Sequence, residues 1–121
     1  MSGNEKSEIK QEILVAVDTV VFTINDGELL TLLVKRKESS DPCPNEREYH
    51  YSGLWSLPGG IVDKEADHTT EDTAIRKLQA KTGIELGFLE QLKTYSGDMR
   101  DKRGWSVSVA YFILMRYVSG L

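Results

Sequence analysis

Lys77 and Lys81 stand four residues apart, with Arg76 beside them and a Pro58-Gly59-Gly60 run upstream. Side chains at this spacing share one face of a helix, so the two lysines form a cation pair. Such a pair attracts phosphate and repels a divalent metal, which prefers carboxylate oxygens. The competing reading is that both lysines simply sit on a solvated helix face. Under either reading that face carries no carboxylate at those positions. Two more basic clusters invite the same chemistry. Lys35, Arg36 and Lys37 close an apolar stretch as LVKRK, and Arg36, which continues the apolar face, is the one expected to reach inward. These three cations are either edge protection or phosphate ligands. The run Asp98-Met99-Arg100-Asp101-Lys102-Arg103-Gly104 is either a plain hairpin connection or one wall of a binding site. The second reading is preferred because arginine forks match phosphate geometry, and Asp98 or Asp101 would accept hydrogen bonds from sugar hydroxyls.

Other reactive side chains lead nowhere specific. His50 and His68 are the only histidines and Cys43 the only cysteine, with no zinc spacing and no nucleophile–histidine–acid set. Trp55, beside the glycine turn, is read as support for the site rather than as a stacking platform.

The elements that must carry these groups are legible. Thr69 or Thr70 caps a helix whose first turn holds Glu71 and Asp72, whose apolar stripe is Ala74, Ile75 and Leu78, and which stops at Gly83. Gly59 and Gly60 turn the backbone and leave room beside it for a ligand. Residues 1–11 read as a disordered tail. Ile13 to Ile24 is β-branched and apolar on both faces, a central strand, with Asp18 the odd residue on its face. That carboxylate is either satisfied by nearby donors or, less favoured, a ligand contact. Asn25-Asp26-Gly27 signals a hairpin turn into a strand over Leu29 to Lys37. A long polar loop, Glu38 to Ser52, follows. After the helix, Leu86 to Tyr95 and Trp105 to Tyr117 read as two further strands.

A chain of 121 residues fits one domain over residues 12–121. No apolar run is long enough to span a membrane, and no signal-peptide core is present, so a cytoplasmic protein is expected. A lone cysteine agrees with a reducing compartment. The net charge of −4 argues against strong nucleic-acid binding by this chain alone.

The stretch from Leu54 to Ile84 resembles the Nudix box, a glycine-led loop running into Arg-Glu-apolar-any-Glu-Glu-any-Gly-apolar. Arg76, Leu78, Gly83 and Ile84 match it. Lys77 replaces the glutamate after the arginine, Ala80 and Lys81 replace the paired glutamates, and His68 falls on the first glutamate. The distance from Gly60 to Arg76 is two residues longer than the family's. The run from Asp98 to Phe112 is similar to a segment of ADP-ribose-type Nudix domains and of the Nudix-related transcriptional regulators of NAD metabolism (the NrtR type). Asp98, Arg100, Asp101, Arg103 and Gly104 match, and Lys102 replaces a proline.

That resemblance implies an α/β Nudix sandwich, α/β/α with a mixed sheet, shortened at its C-terminus. It implies a non-catalytic ADP-ribose sensor of a repressor that acts as a homodimer on genes of NAD metabolism. DNA would be bound only through a C-terminal winged-helix domain absent from this chain. Ligand-binding candidates are Arg36, Lys37, Trp55, Gly59, Gly60, Arg76, Lys77, Asp98, Arg100 and Arg103; no catalytic residue, metal or cofactor besides the ligand ADP-ribose is expected. Two alternatives remain: an active hydrolase using Asp63, Glu65, Asp67, Glu71 or Asp72 as relocated metal ligands, and a scaffold that uses the fold only for protein interaction.

Overall fold

The structure, a computed structural model, describes residues 11–36, 53–83 and 89–117. Its spine is β1, Leu14–Asn25. Valine, isoleucine and threonine fill this strand because a branched side chain suits a pleated, buried surface. Along one edge β1 pairs in parallel with β7, Ser106–Leu114, from Leu14 opposite Ser106 to Phe22 opposite Leu114. Outside β7 runs β6, Glu90–Gly97, antiparallel, with an irregularity between Gln91 and Lys93.

The other edge of β1 is shared. Its second half pairs with β2, Glu28–Thr31, across a two-residue turn in which Asp26 (φ 51°) and Gly27 (φ 78°) are both left-handed. That is the geometry hairpins favour, and Asp-Gly meets it at little cost. Its first half pairs with β5, Gly59–Ile61. This sharing corrects the strand expected over Leu29 to Lys37. Leu32 N–H donates to Val21 O, but Thr19 N–H already donates to Pro58 O, so the chain must leave the edge there. It resumes as β3, Val34–Lys35, which pairs with β4, Trp55–Ser56, in a separate ladder. Lys37, Cys43, His50, Ile84 and Leu86 lie outside the described residues, as does the expected tail through Lys10. The later strands are shorter than expected, β6 starting at Glu90 and β7 ending at Leu114.

Helix α1, Thr70–Thr82, packs on one face of the sheet. Thr69 is its N-cap in a capping box: Asp72 N–H donates to Thr69 Oγ1 (3.1 Å), and Thr69 N–H to Asp72 Oδ2 (3.2 Å). Gly83, at φ 75°, ends it by donating to Gln79 O (2.8 Å). Ala74 packs against Val17 and Tyr111, with Val62, Leu89 and Val109 around them. Tyr111 Oη and Thr70 Oγ1 share a hydrogen bond of 2.6 Å. Alternation along the strands then assigns the far face to Leu14, Ala16 and Asp18 of β1 and, in register, to Ser106, Ser108 and Ala110 of β7.

Gly59 and Gly60 differ in what they protect. A Cβ on Gly59 would lie 2.1 Å from Val17 O, a backbone atom that cannot yield, whereas one on Gly60 would meet only the Lys77 stem, 2.5 Å from Cε. Gly59→Ala is therefore expected to lower stability by about 2 kcal/mol or more, an overpacking cost, and Gly60→Ala by less than half of that. Urea unfolding of the two variants, followed by far-UV circular dichroism, checks the ordering.

Candidate functional site

The far face of the sheet is the floor of a cleft of about 660 Å³, within the range (~300–1,000 Å³) of small-molecule sites. Leu14, Ala16, Asp18, Ser106 and Ser108 form that floor. The β3–β4 ladder stands along one side with Val34, Lys35, Arg36, Trp55 and Ser56, and the 100–103 loop contributes Arg100, Asp101 and Arg103. Helix α1 lies on the opposite face of the sheet, yet Arg76, Lys77, Ala80 and Lys81 also line the cleft. The glycines explain this. β5 is an edge strand with no side chains at Gly59 and Gly60, so lysine stems can cross it. The Lys77 stem runs over Gly60, and Lys81 Nζ donates to Gly59 O at 2.6 Å.

Of the candidates from sequence, Arg36, Trp55, Gly59, Gly60, Arg76, Lys77, Arg100 and Arg103 come together here. Asp98 does not line the cleft, and Lys37 lies outside the described residues. Trp55, expected from sequence to support the site, lines the cleft. It is 65% exposed, on a two-stranded ladder separate from the main sheet. Lys35, Lys81 and Asp101, weighed from sequence as phosphate or sugar contacts, also line the cleft, whereas Ser106 and Ser108 were not singled out. The alternation Ser106-Val107-Ser108-Val109 was the available signal: small hydroxyls on one face and apolar residues on the other.

The cleft carries seven cationic side chains, Lys35, Arg36, Arg76, Lys77, Lys81, Arg100 and Arg103, against two acidic ones, Asp18 and Asp101. Its sign is opposite to that of the whole chain, at −4. Several of these cations are positioned by internal bonds. Arg103 grips Asp101 through Nε (2.9 Å) and Nη2 (2.6 Å). Arg100 Nη1 donates to Ser106 Oγ at 3.0 Å. Arg76 gives Nε to Asp67 Oδ1 and Nη2 to Asp67 Oδ2, both at 2.7 Å. Thr73 Oγ1 (2.8 Å) and Asp63 N–H (2.9 Å) donate to the same carboxylate, whose side chain is 1% exposed. The Arg76 hydrogen bonds, helped by Asp63 N–H and Thr73 and opposed by burial, hold the Asp67 carboxyl well below the usual carboxylate range. Much of Arg76's fork is thereby spent in tying the 63–67 turn to the helix.

A divalent cation does not fit this donor set. The helix face that meets the cleft offers the ammonium groups of Lys77 and Lys81, where magnesium needs carboxylate oxygens. Asp63, Glu65, Asp67, Glu71 and Asp72, the relocated ligands considered from sequence, do not line the cleft. Asp67 serves Arg76, Asp72 caps the helix, and Asp63 Oδ1 accepts from Glu65 N–H at 2.9 Å.

The sequence pattern of the NUDIX domain matches residues 13–120. This chain belongs to the Nudix family. Among solved structures, the NUDIX domain of Shewanella oneidensis NrtR, in complex with ADP ribose, aligns with a TM-score of 0.74 and 39% identity over 98% of this chain and 73% of that one. The ADPR-responsive transcriptional repressor NtrR of Acinetobacter baylyi is 39% identical over 104 residues, which make up 86% of this chain but 38% of the repressor. An ADP-ribose pyrophosphatase of Methanocaldococcus jannaschii is 30% identical over 99 residues, 82% of this chain and 49% of that protein. This Nudix domain therefore spans less than half the length of either full-length relative. Its mixed sheet and single described helix agree with the fold of those neighbours. Among the described residues no helix is long and apolar enough to cross a membrane.

The Asp67–Arg76 pair sets an acid limit on stability. A carboxyl titrating lower in the folded than in the unfolded state stabilises fully above the unfolded value, near pH 4, and the contribution is lost as pH falls from there toward the folded value. Asp67→Asn is expected to cost about 2 kcal/mol at pH 7 and to flatten the loss of stability below about pH 4. Denaturant midpoints measured between pH 2.5 and 7 for both proteins check this.

Proposed function

We propose that this Nudix domain binds ADP-ribose without cleaving it and serves as the effector-binding part of a transcriptional repressor of NAD metabolism. One observation carries the reading: the helix reaches the cleft over Gly59 and Gly60 with two ammonium groups, Lys77 and Lys81, at positions where the Nudix box has glutamates. Those cations attract a diphosphate and repel the metal that its hydrolysis needs. Arg100, braced by Ser106, adds a guanidinium with phosphate-matching geometry. The exposed Trp55 offers the adenine a face to stack on. The NrtR domain seen with ADP ribose and the ADPR-responsive NtrR support the choice of ligand.

In a longer, dimeric repressor, ADP-ribose acts by binding one arrangement of the protomers more tightly than another and shifting attached DNA-binding domains. A ligand with equal affinity for both would shift nothing. The likeness to the archaeal pyrophosphatase favours a hydrolase as the second reading, and the structural work done by Asp63, Asp67 and Asp72 counts against it.

Titration calorimetry is expected to give ADP-ribose an affinity at least about tenfold above AMP or ribose 5-phosphate, since only the whole ligand spans stacking face, cations and floor. Incubation with magnesium or manganese is expected to release no AMP. Equal affinities, or none, would remove the sensor reading; AMP formed at catalytic rates would restore the hydrolase.

A further inference from the structure

Asp18 is out of place in a phosphate site. It sits half-buried on the central strand, on the floor of a cleft otherwise dominated by cations, and a carboxylate there weakens the pull on any anion. The cleft's other acid, Asp101, is neutralised by Arg103 in a bidentate pair. Asp18 has no such pairing among the described residues. Its bond is to a neutral hydroxyl: Ser108 Oγ donates to Oδ2 at 2.6 Å. Ser108 is 2% exposed and fixed by the β1–β7 ladder, so it holds the carboxylate in place without cancelling its charge. Oδ1 lies on the β5 side, 3.0 Å from where a Cβ on Gly59 would stand. The carboxylate is thus held between β7 and β5, with both of these strands and Asp18 itself lining the cleft.

The floor is polar in two senses. At Ser106 the hydroxyl accepts from Arg100, and at Ser108 it donates to Asp18. Two residues apart on one strand face, the same side-chain type leaves a cation at one position and an acceptor at the next. A negatively charged group suits the first and is repelled by the second; a sugar diol, which donates hydrogen bonds and carries no charge, suits the second.

We propose that Asp18 is a specificity-determining residue that accepts hydrogen bonds from the sugar lying beyond the diphosphate and rejects a further phosphate in the same place. The inference rests on the ADP-ribose reading given above. Adenine goes to the exposed indole of Trp55 at the cleft's edge, the diphosphate to Lys77, Lys81 and Arg100, and the second ribose to Asp18 on the floor. The carboxylate thus lets the site separate a nucleotide-sugar from a nucleoside triphosphate, although both bring adenosine and at least two phosphates.

The test uses wild type and Asp18→Asn with ADP-ribose, ADP and ATP, titrated calorimetrically without divalent metal. Asparagine keeps the shape and the acceptor for Ser108 but loses the charge. Wild type is expected to bind ADP-ribose about tenfold more tightly than ADP, and ATP more weakly than ADP. Asp18→Asn is expected to lose about tenfold for ADP-ribose while ATP improves, so that the ratio of the two narrows by more than tenfold. Parallel losses for all three ligands, or no change, would overturn the proposal and leave the sensor reading intact. ADP binding as tightly as ADP-ribose to wild type would overturn it with no variant needed. Failure of wild type to bind ADP-ribose at all would overturn the sensor reading, and this inference with it.

Discussion

Everything in this domain depends on how closely the backbone of Gly59 approaches that of Val17. That contact seats β5 on the first half of β1, and a Cβ would abolish it at 2.1 Å. Once β5 is seated without side chains, the helix that follows lies tight against the sheet edge, with Ala74 touching Val17 and Tyr111. The lysine stems on its later turns then have a bare strand to cross. The cation-rich cleft is a consequence of packing on the other side of the sheet. Fold and site are joined at a single pair of glycines: the missing Cβ of Gly59 serves the strand pairing, and that of Gly60 the Lys77 stem.

A second constraint follows from burying Asp67. A carboxylate with a 1% exposed side chain is tolerable only when fully hydrogen-bonded, and here Arg76, Thr73 and Asp63 supply the donors. The turn 63–67, closed by Asp67 N–H on Asp63 O at 2.7 Å, is thereby bolted to the helix. Acidic residues near the Nudix helix thus hold shape: one anchors a turn, one caps a helix. Those charges are thereby kept off the cleft, and its positive potential is preserved.

Much of this was readable in the amino-acid order because the deciding forces are local. Thr69 and Gly83 mark the helix ends by the bonds their own side chain or backbone can make, and Asp26-Gly27 marks the hairpin by its tolerance of left-handed φ. The division of Leu29 to Lys37 into two strands was not readable. It arises from competition between β2 and β5 for one edge of β1, and those segments are far apart in the chain. The exposure of Trp55 was not readable for the same reason: nothing nearby in sequence says that its strand pairs in a ladder separate from the main sheet. Most of the cationic side chains at the cleft were legible from charge and spacing. The polar floor was not, because Asp18 and Ser108 meet only through the β1–β7 register.

That register has a consequence for synthesis. Parallel pairing joins Leu14 to Ser106 and Phe22 to Leu114, so the central ladder closes a loop spanning almost the whole domain. Non-local ladders form slowly, since loop entropy is spent before any contact repays it. While the ribosome is still making the helix, β1 can hold only its hairpin with β2, and one apolar edge of the nascent sheet waits uncovered. Folding of this domain is therefore a late, concerted event, completed only after the last strand has emerged from the exit tunnel.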